Sequence, residues 1–372
     1  MLPLADLRVL DLSTVFAGPA CARHLGDFGA DVIKIERPGV GDSSRNIGWR
    51  DPDDDQTLFW KVTNRGKRCI ELDLTTDEER NLFLRLVDTA AVVVENMRPG
   101  KLERLGLGPE VLLARNPRLV ITRVTAFGQD GPYRDRPGFA TTAEAMSGFA
   151  ALNGPADGPP TLPPIALTDE VTGLAAAFAT MVALHSGVGQ VVDANLIESL
   201  LQLMGPLPSL WLKLGELQPR LGSGLPYSVP RGTYRTADDR WVAVSTSADS
   251  VARRVMGLIG LDQDERFTTF AGRVANRDEV EARMAAWSAT RTADEVLSAF
   301  EAADAAAALV YDMADLVADP HAVARQVFAT VGGFPMQGLV ARLSATPGRV
   351  SAPGRPLGAD TAEVLAELAG EG

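Results

Sequence analysis

Short apolar runs alternate with helical patterns through the first half of the chain, and nothing else in the sequence constrains the fold as tightly. Residues 8–13 (RVLDLS), 31–36 (DVIKIE), 69–74 (CIELDL), 91–96 (AVVVEN), 119–125 (LVITRVT) and 190–195 (QVVDAN) read as strands. Helical patterns fall between them, over 20–28 (closed by Gly29), 76–89 and 170–185. Thr76-Asp77-Glu78-Glu79 is a capping-box sequence, and Pro19 suits the first helical position because its missing N–H would have no partner there. Strand and helix in strict alternation predict an α/β fold, a largely parallel sheet covered by helices in a Rossmann-like arrangement.

The pattern changes further on. Residues 154–164 (GPADGPPTLPP) predict a surface loop, and an apolar helix over 196–204 is broken by Gly205, Pro206 and Pro208. Residues 232–235 and 241–245 flank a polar turn and predict a hairpin, followed by short helices over 249–259, 277–287 and 292–302, with Asn276 and Thr292 as caps. A chain of 372 residues has room for two or three domains. The expected division is a large Rossmann-like domain over 1–204, a linker over 205–222, a small α+β domain over 223–325, and a C-terminal segment over 326–372, with a helix over 361–368, that returns to the large domain.

Charge and composition exclude several classes of function. The net charge is −12 and no basic stripe is present, which argues against nucleic acid. Two cysteines, Cys21 and Cys69, fit a reduced, cytoplasmic setting, and the N-terminus lacks a signal-peptide pattern. The richest apolar stretch, 174–184, is too short to span a membrane. His24, His185 and His321 lie far apart, without HExxH or CxxC, so no metal is expected and each histidine reads as a helix-surface residue. No GxSxG serves a hydrolase. The first strand is followed by one glycine, Gly18, rather than GxGxxG, so a nicotinamide enzyme is not indicated.

What remains is a set of strand ends. Gly18-Pro19 opens a helix after the first strand, Glu36-Arg37-Pro38 ends the second, and Glu95-Asn96-Met97-Arg98 ends the fourth, with Arg104 shortly beyond. Open α/β sheets bind ligands at this edge, helix N-termini attract anions, and guanidinium groups match phosphate oxygens. Asp169 follows the Pro-rich loop immediately before a helix. The plainer readings stand beside these: an arginine after a strand is ordinarily a solvated charge, and Asp169 fits a helix N-cap. From the residues alone the reading ends at an α/β enzyme with an anion site.

Residues 10–19 (LDLSTVFAGP), 25–38 (LGDFGADVIKIERP), 64–74 (NRGKRCIELDL), 94–106 (VENMRPGKLERLG), 127–133 (FGQDGPY) and 145–148 (AMSG) resemble the class III CoA-transferases. That family includes formyl-CoA transferase, carnitine CoA-transferase and α-methylacyl-CoA racemase. The resemblance implies a Rossmann-like large domain, a small domain, and two chains interlocked as a homodimer. It implies a CoA site at Phe16, Ala17, Arg37, Leu72, Asp73, Asn96, Met97, Arg98 and Arg104, and a catalytic aspartate at Asp169. Coenzyme A and its thioesters would be substrates, with a carboxylic acid as acceptor and no resident cofactor, metal, nucleic acid or membrane. Asp169 would attack the donor thioester and carry CoA as an aspartyl thioester to the acceptor, with its helix N-terminus favouring the ionised form.

The sequence departs from parts of the family. Formyl-CoA transferase has glutamine where this chain has Phe16 and a Tyr-Glu pair where it has Phe139-Ala140, and the family's run of consecutive glycines in the small domain has no counterpart. The racemase histidine falls on Phe139, which cannot carry a proton. The reading is therefore a CoA-transferase, with a 2-methylacyl-CoA racemase or a non-catalytic CoA-binding paralogue as the alternatives.

Overall fold

The computed structural model describes residues 2–246 and 248–370. Six strands, β1 (Arg8–Asp11), β2 (Asp31–Glu36), β3 (Arg68–Glu71), β4 (Val92–Glu95), β5 (Val120–Thr125) and β6 (Gln190–Asn195), form one sheet. Their order is β3-β2-β1-β4-β5-β6 and every neighbouring pair is parallel. The order reverses between β1 and β4, the place where open sheets of this kind bind ligands.

Alternation along the strands explains why both faces are covered. Val9, Val32, Val92, Val94 and Val120 are buried on one face with Cys21, Ala22 and Leu25 of helix α1 (Ala17–Asp27). Leu10, Ile33, Ile70, Val93 and Ile121 are buried on the other with Phe83 and Leu86. The predicted strands overrun at 12–13 and 72–74, where the chain leaves the sheet to build turns. Leu12 N–H still donates to the Val94 carbonyl at 2.8 Å, but Ser13 N–H turns back to the Asp11 carboxylate at 2.9 Å.

Several helix starts differ from the sequence reading. Helix α1 begins at Ala17, so Pro19 is its third residue, still in the turn where a missing N–H costs nothing. Thr76 caps the Asp77–Val87 helix, but the Glu79 side chain accepts from Asp73 N–H, so the capping box is half formed. His24 is no surface residue: it is buried on α1 beside Arg23 and Glu170.

The helix predicted over 170–185 spans Leu167–Ser186. It is long and apolar enough to cross a membrane by length and composition, but Gly173, Ala176 and Ala177 pack it into the protein core. At Gly173 a Cβ would stand 2.7 Å from the Ala20 Cβ and 3.0 Å from the Ala17 carbonyl oxygen, so only glycine lets α1 approach this closely.

By its contacts the chain divides into two units. The first holds residues 1–149, 163–205 and 321–372, and the second holds 150–162 and 206–320. Residues 205–222, read as a linker, contain a helix, Leu207–Leu214, whose N-cap is Pro206 and whose second residue is Pro208; a proline in the first turn is tolerated because no N–H is needed there. The second unit carries an antiparallel sheet of β7 (Arg231–Arg235), β8 (Trp241–Ser245) and β9 (Ala307–Leu309). The β7–β8 hairpin turns at Asp239, with φ +63°. Thr292 forms a full capping box with Glu295, whereas Asn276 makes no side-chain cap. In the first unit, β10 (Phe328–Val331) and β11 (Phe334–Gln337) form a hairpin, and the Thr361–Ala369 helix is tied to Arg8 by Glu367 at 3.0 Å.

Candidate active site

The turn after β1 sits at the point where the strand order reverses. Asn96, just past β4, reaches across to it: its Oδ1 accepts Thr14 N–H at 2.8 Å and its Nδ2 donates to the Thr14 carbonyl at 2.7 Å. Both polar atoms of the Asn96 side chain therefore bind the main chain of the turn. At Gly18 an added Cβ would lie 2.4 Å from the Ser13 Cβ, so the first turn of α1 closes on β1 only with glycine there.

Thr14, Phe16, Ala17 and Asn96 line a cavity of about 230 Å³ together with Phe139 and Asp169. Asp169 is the third residue of the Leu167–Ser186 helix, not its cap. The N-cap is Ala166, and no side chain caps this end. Its neighbours point elsewhere. Thr168 is fully buried and donates to Glu144 at 2.9 Å. Glu170 accepts from His24 at 2.9 Å and pairs with buried Arg23.

Asp169 itself is half-buried and makes no hydrogen bond or ion pair among the described residues. Burial, then the negative charges of Glu144 and Glu170, push its pKa up to about 6. This reverses the expectation that the helix N-terminus would favour the ionised form: loss of water and two nearby carboxylates outweigh the helix dipole. Glu170 moves the other way. Burial would raise its pKa, but His24 and Arg23 hold it below the usual range.

The remaining residues assigned from the resemblance follow the carboxyl ends of β2, β3 and β4 and do not line this cavity. Arg37, Arg98 and Arg104 are exposed, and none has an ion-pair partner among the described residues. By contrast, Arg45 is committed to Glu36 at 2.6 Å and Arg123 to Glu95 at 2.6 Å. Cations outside any ion pair can meet phosphate oxygens without giving up an internal partner, although Arg37 also acts electrostatically on Asp73. Leu72 is buried in the core and Met97 packs against that core, so their side chains have structural work, while the Asp73 carboxylate accepts from Thr75.

Sequence reasoning missed Thr14, Thr125 and Thr141, which line the cavity, and Glu144, which faces Asp169 electrostatically. Glu144 stands beside the quoted AMSG motif, but only the fold brings it to the Leu167–Ser186 helix. Among the described residues, no group of three or more His, Cys, Asp or Glu is placed to hold a metal ion.

Residues 4–361 match the model of CoA-transferase family III, and the chain belongs to that family. It is a class III CoA-transferase. A succinyl-CoA–D-citramalate CoA-transferase of Chloroflexus aurantiacus is 41% identical over 380 residues, covering 99% of this chain and 94% of the relative. A succinate–glutarate CoA-transferase of Agrobacterium fabrum is 34% identical, covering 98% and 96%. The crystal structure of a CaiB/BaiF family protein from Brucella suis superposes with a TM-score of 0.87 at 32% identity, covering 98% of this chain and 99% of the other.

Proposed function

We propose that this transferase moves CoA from succinyl-CoA to a free carboxylic acid through covalent intermediates on Asp169. The observation that carries the mechanism is the Asp169 carboxylate, which lines a cavity at the ligand-binding edge of the sheet without any partner of its own. A structural carboxylate at a helix start is ordinarily spent on an N–H or a cation. This one is free to form a bond.

The steps balance without added protons or oxidants. An Asp169 oxygen attacks the thioester carbonyl carbon, the C–S bond breaks, and a mixed anhydride and CoA thiolate result. The thiolate attacks the aspartyl carbonyl, which releases the donor acid and leaves an aspartyl-CoA thioester. The acceptor carboxylate attacks that thioester, forming a second anhydride and thiolate. The thiolate then attacks the acceptor's acyl carbon and frees Asp169. Each step exchanges one activated acyl bond for another. With a pKa of about 6, Asp169 is ionised at neutral pH and more basic than an ordinary carboxylate.

The succinyl donor is drawn from the relatives, whose names specify succinyl-CoA or succinate with D-citramalate, L-malate or glutarate. Arg37, Arg98 and Arg104 are the groups offered to the CoA phosphates. The same reading includes an intertwined homodimer, supported by the exposure of Trp211, Leu212, Leu214 and Leu217. Incubation of succinyl-CoA with malate, citramalate or glutarate, followed by mass spectrometry of the thioesters, tests the transfer. New thioester is expected with the wild type and none with Asp169→Asn; equal exchange by both proteins would contradict the role of Asp169. Sedimentation at low concentration should give a dimer mass, and a monomer would contradict the assembly.

A further inference from the structure

Val15 adopts φ +69°, a left-handed conformation that a β-branched residue rarely takes. It lies in the turn between β1 and α1 and lines the Asp169 cavity. Strain of this kind persists only where surrounding contacts enforce it, and it concentrates at functional sites. The enforcing contact here is Asp42. Its two carboxylate oxygens accept Val15 N–H at 3.0 and 3.3 Å.

Asp42 is itself fixed from several sides. It is buried, and Lys34 Nζ approaches at 3.0 Å from the middle of the sheet. It accepts Ser44 N–H and Ser44 Oγ–H, each at 2.9 Å, and its own N–H donates to Glu36 at 2.8 Å. Burial would raise its pKa, but Lys34 and the Ser44 and Val15 amides bring it down to about 2, so it is a permanent anion. Lys34 also donates to the Ser13 carbonyl, and Asn96 holds Thr14. Ser13, Thr14 and Val15 are thus gripped one after another, and the next two residues, Phe16 and Ala17, form the cavity wall.

We propose that Asp42 is a positioning residue of the acyl-CoA site: anchored by Lys34, it holds Val15 in its left-handed conformation and so sets Phe16 and Ala17 against the Asp169 cavity. The proposal rests on reading that cavity as the acyl-CoA site. Capping the short Ser43–Asn46 helix is the other use of Asp42, and it needs only the bond to Ser44 N–H. Released from Asp42, Val15 would relax to an extended conformation and displace the wall.

The test uses Asp42→Asn, two substitutions at Val15, and Asp27→Asn as a control. Asp27 forms a buried ion pair with Arg65, so its loss lowers stability without touching the turn. Val15→Gly admits φ +69° without strain, whereas Val15→Pro forbids it and removes the N–H while leaving every buried charge in place. Calorimetry with free CoA and kinetics with succinyl-CoA should show Asp42→Asn and Val15→Pro raising Kd and KM about tenfold or more, with kcat within about threefold. Asp27→Asn should stay near wild type. Val15→Gly keeps the left-handed turn but loses a side chain from the cavity lining, so it should lose less affinity than Val15→Pro and recover part of the affinity lost in Asp42→Asn. If Asp42→Asn does not fold, the Gly and Pro variants at Val15 decide alone. Wild-type affinity in Val15→Pro or in folded Asp42→Asn would overturn the proposal, as would an equal loss in Asp27→Asn. Absence of CoA binding to the wild type would instead overturn the reading of the cavity itself.

Discussion

Asp169 and Glu170 are consecutive residues whose ionisation is displaced in opposite directions. Glu170 faces buried Arg23 and His24 and is held below the usual carboxylate range. Asp169 faces a cavity without a cation and is raised to about 6. A single step along the helix thus separates a carboxylate spent on structure from one that lines the cavity without a partner.

The pH dependence of transfer follows from that contrast. In the proposed mechanism only the ionised form of Asp169 attacks the thioester, so kcat/KM should fall about tenfold per pH unit well below 6 and level off above it. Glu144 is the larger of the two neighbouring-charge contributions, so Glu144→Gln should move the midpoint downward. Rates measured from pH 4.5 to 8 check both; a flat profile would show that Asp169 does not titrate as described.

Stability should respond in the opposite sense. A carboxyl whose folded pKa is raised from about 3.9 in the unfolded chain is stabilising only while protonated. That contribution is complete below pH 4 and is lost as pH rises through 6. Asp169→Asn should therefore melt close to wild type at pH 4, rise above it as pH approaches 6, and keep a constant margin from about pH 7 to 8. Thermal melts across this range test the raised pKa of Asp169; a margin that does not change with pH would contradict it.

At the sheet edge, Arg104→Ala should weaken CoA binding by about 1–3 kcal/mol, the range for a charge-assisted hydrogen bond. Arg104 has no internal ion pair, so the melting temperature should not change. Unchanged affinity in calorimetry would remove Arg104 from the site.

Phe139 lines the same cavity as Asp169 and offers no base. A 2-methylacyl-CoA incubated with the enzyme in heavy water should therefore gain no deuterium at its α-carbon. Rapid enzyme-dependent incorporation, read by mass spectrometry, would favour racemisation.

Close packing between α1 and the Leu167–Ser186 helix sets the position of Asp169. Gly173→Ala would place a Cβ 2.7 Å from Ala20, and overpacking of this kind costs about 1–3 kcal/mol. Denaturant melts should show that loss, accompanied by lower activity as the Asp169 turn shifts.

The sheet was legible because each strand carries its own signal. Runs such as DVIKIE and QVVDAN carry β-branched residues just after glycine-containing turns, and both strands begin and end where those runs do. Strand ends after β1 and β3 were less clear, because Leu12 and Leu72 are apolar residues that stay buried after the chain has left the ladder. The site was legible only where one residue type implies a role. Asp169 and the three arginines stand out by chemistry, but whether Asp169 caps or attacks depends on a helix that starts two residues before it. Asp42 carries no signal at all: its contact with Val15 joins the segment after β2 to the turn after β1, and only the folded sheet brings them together.

Covalent trapping at Asp169 tests the central claim most directly. Wild-type protein incubated with succinyl-CoA and then hydroxylamine, digested and examined by mass spectrometry, should carry a hydroxamate on the Asp169 side chain. The modification should require the donor thioester and disappear in Asp169→Asn. An unmodified Asp169 peptide from protein that is actively transferring CoA, or a hydroxamate on a different residue, would contradict the mechanism.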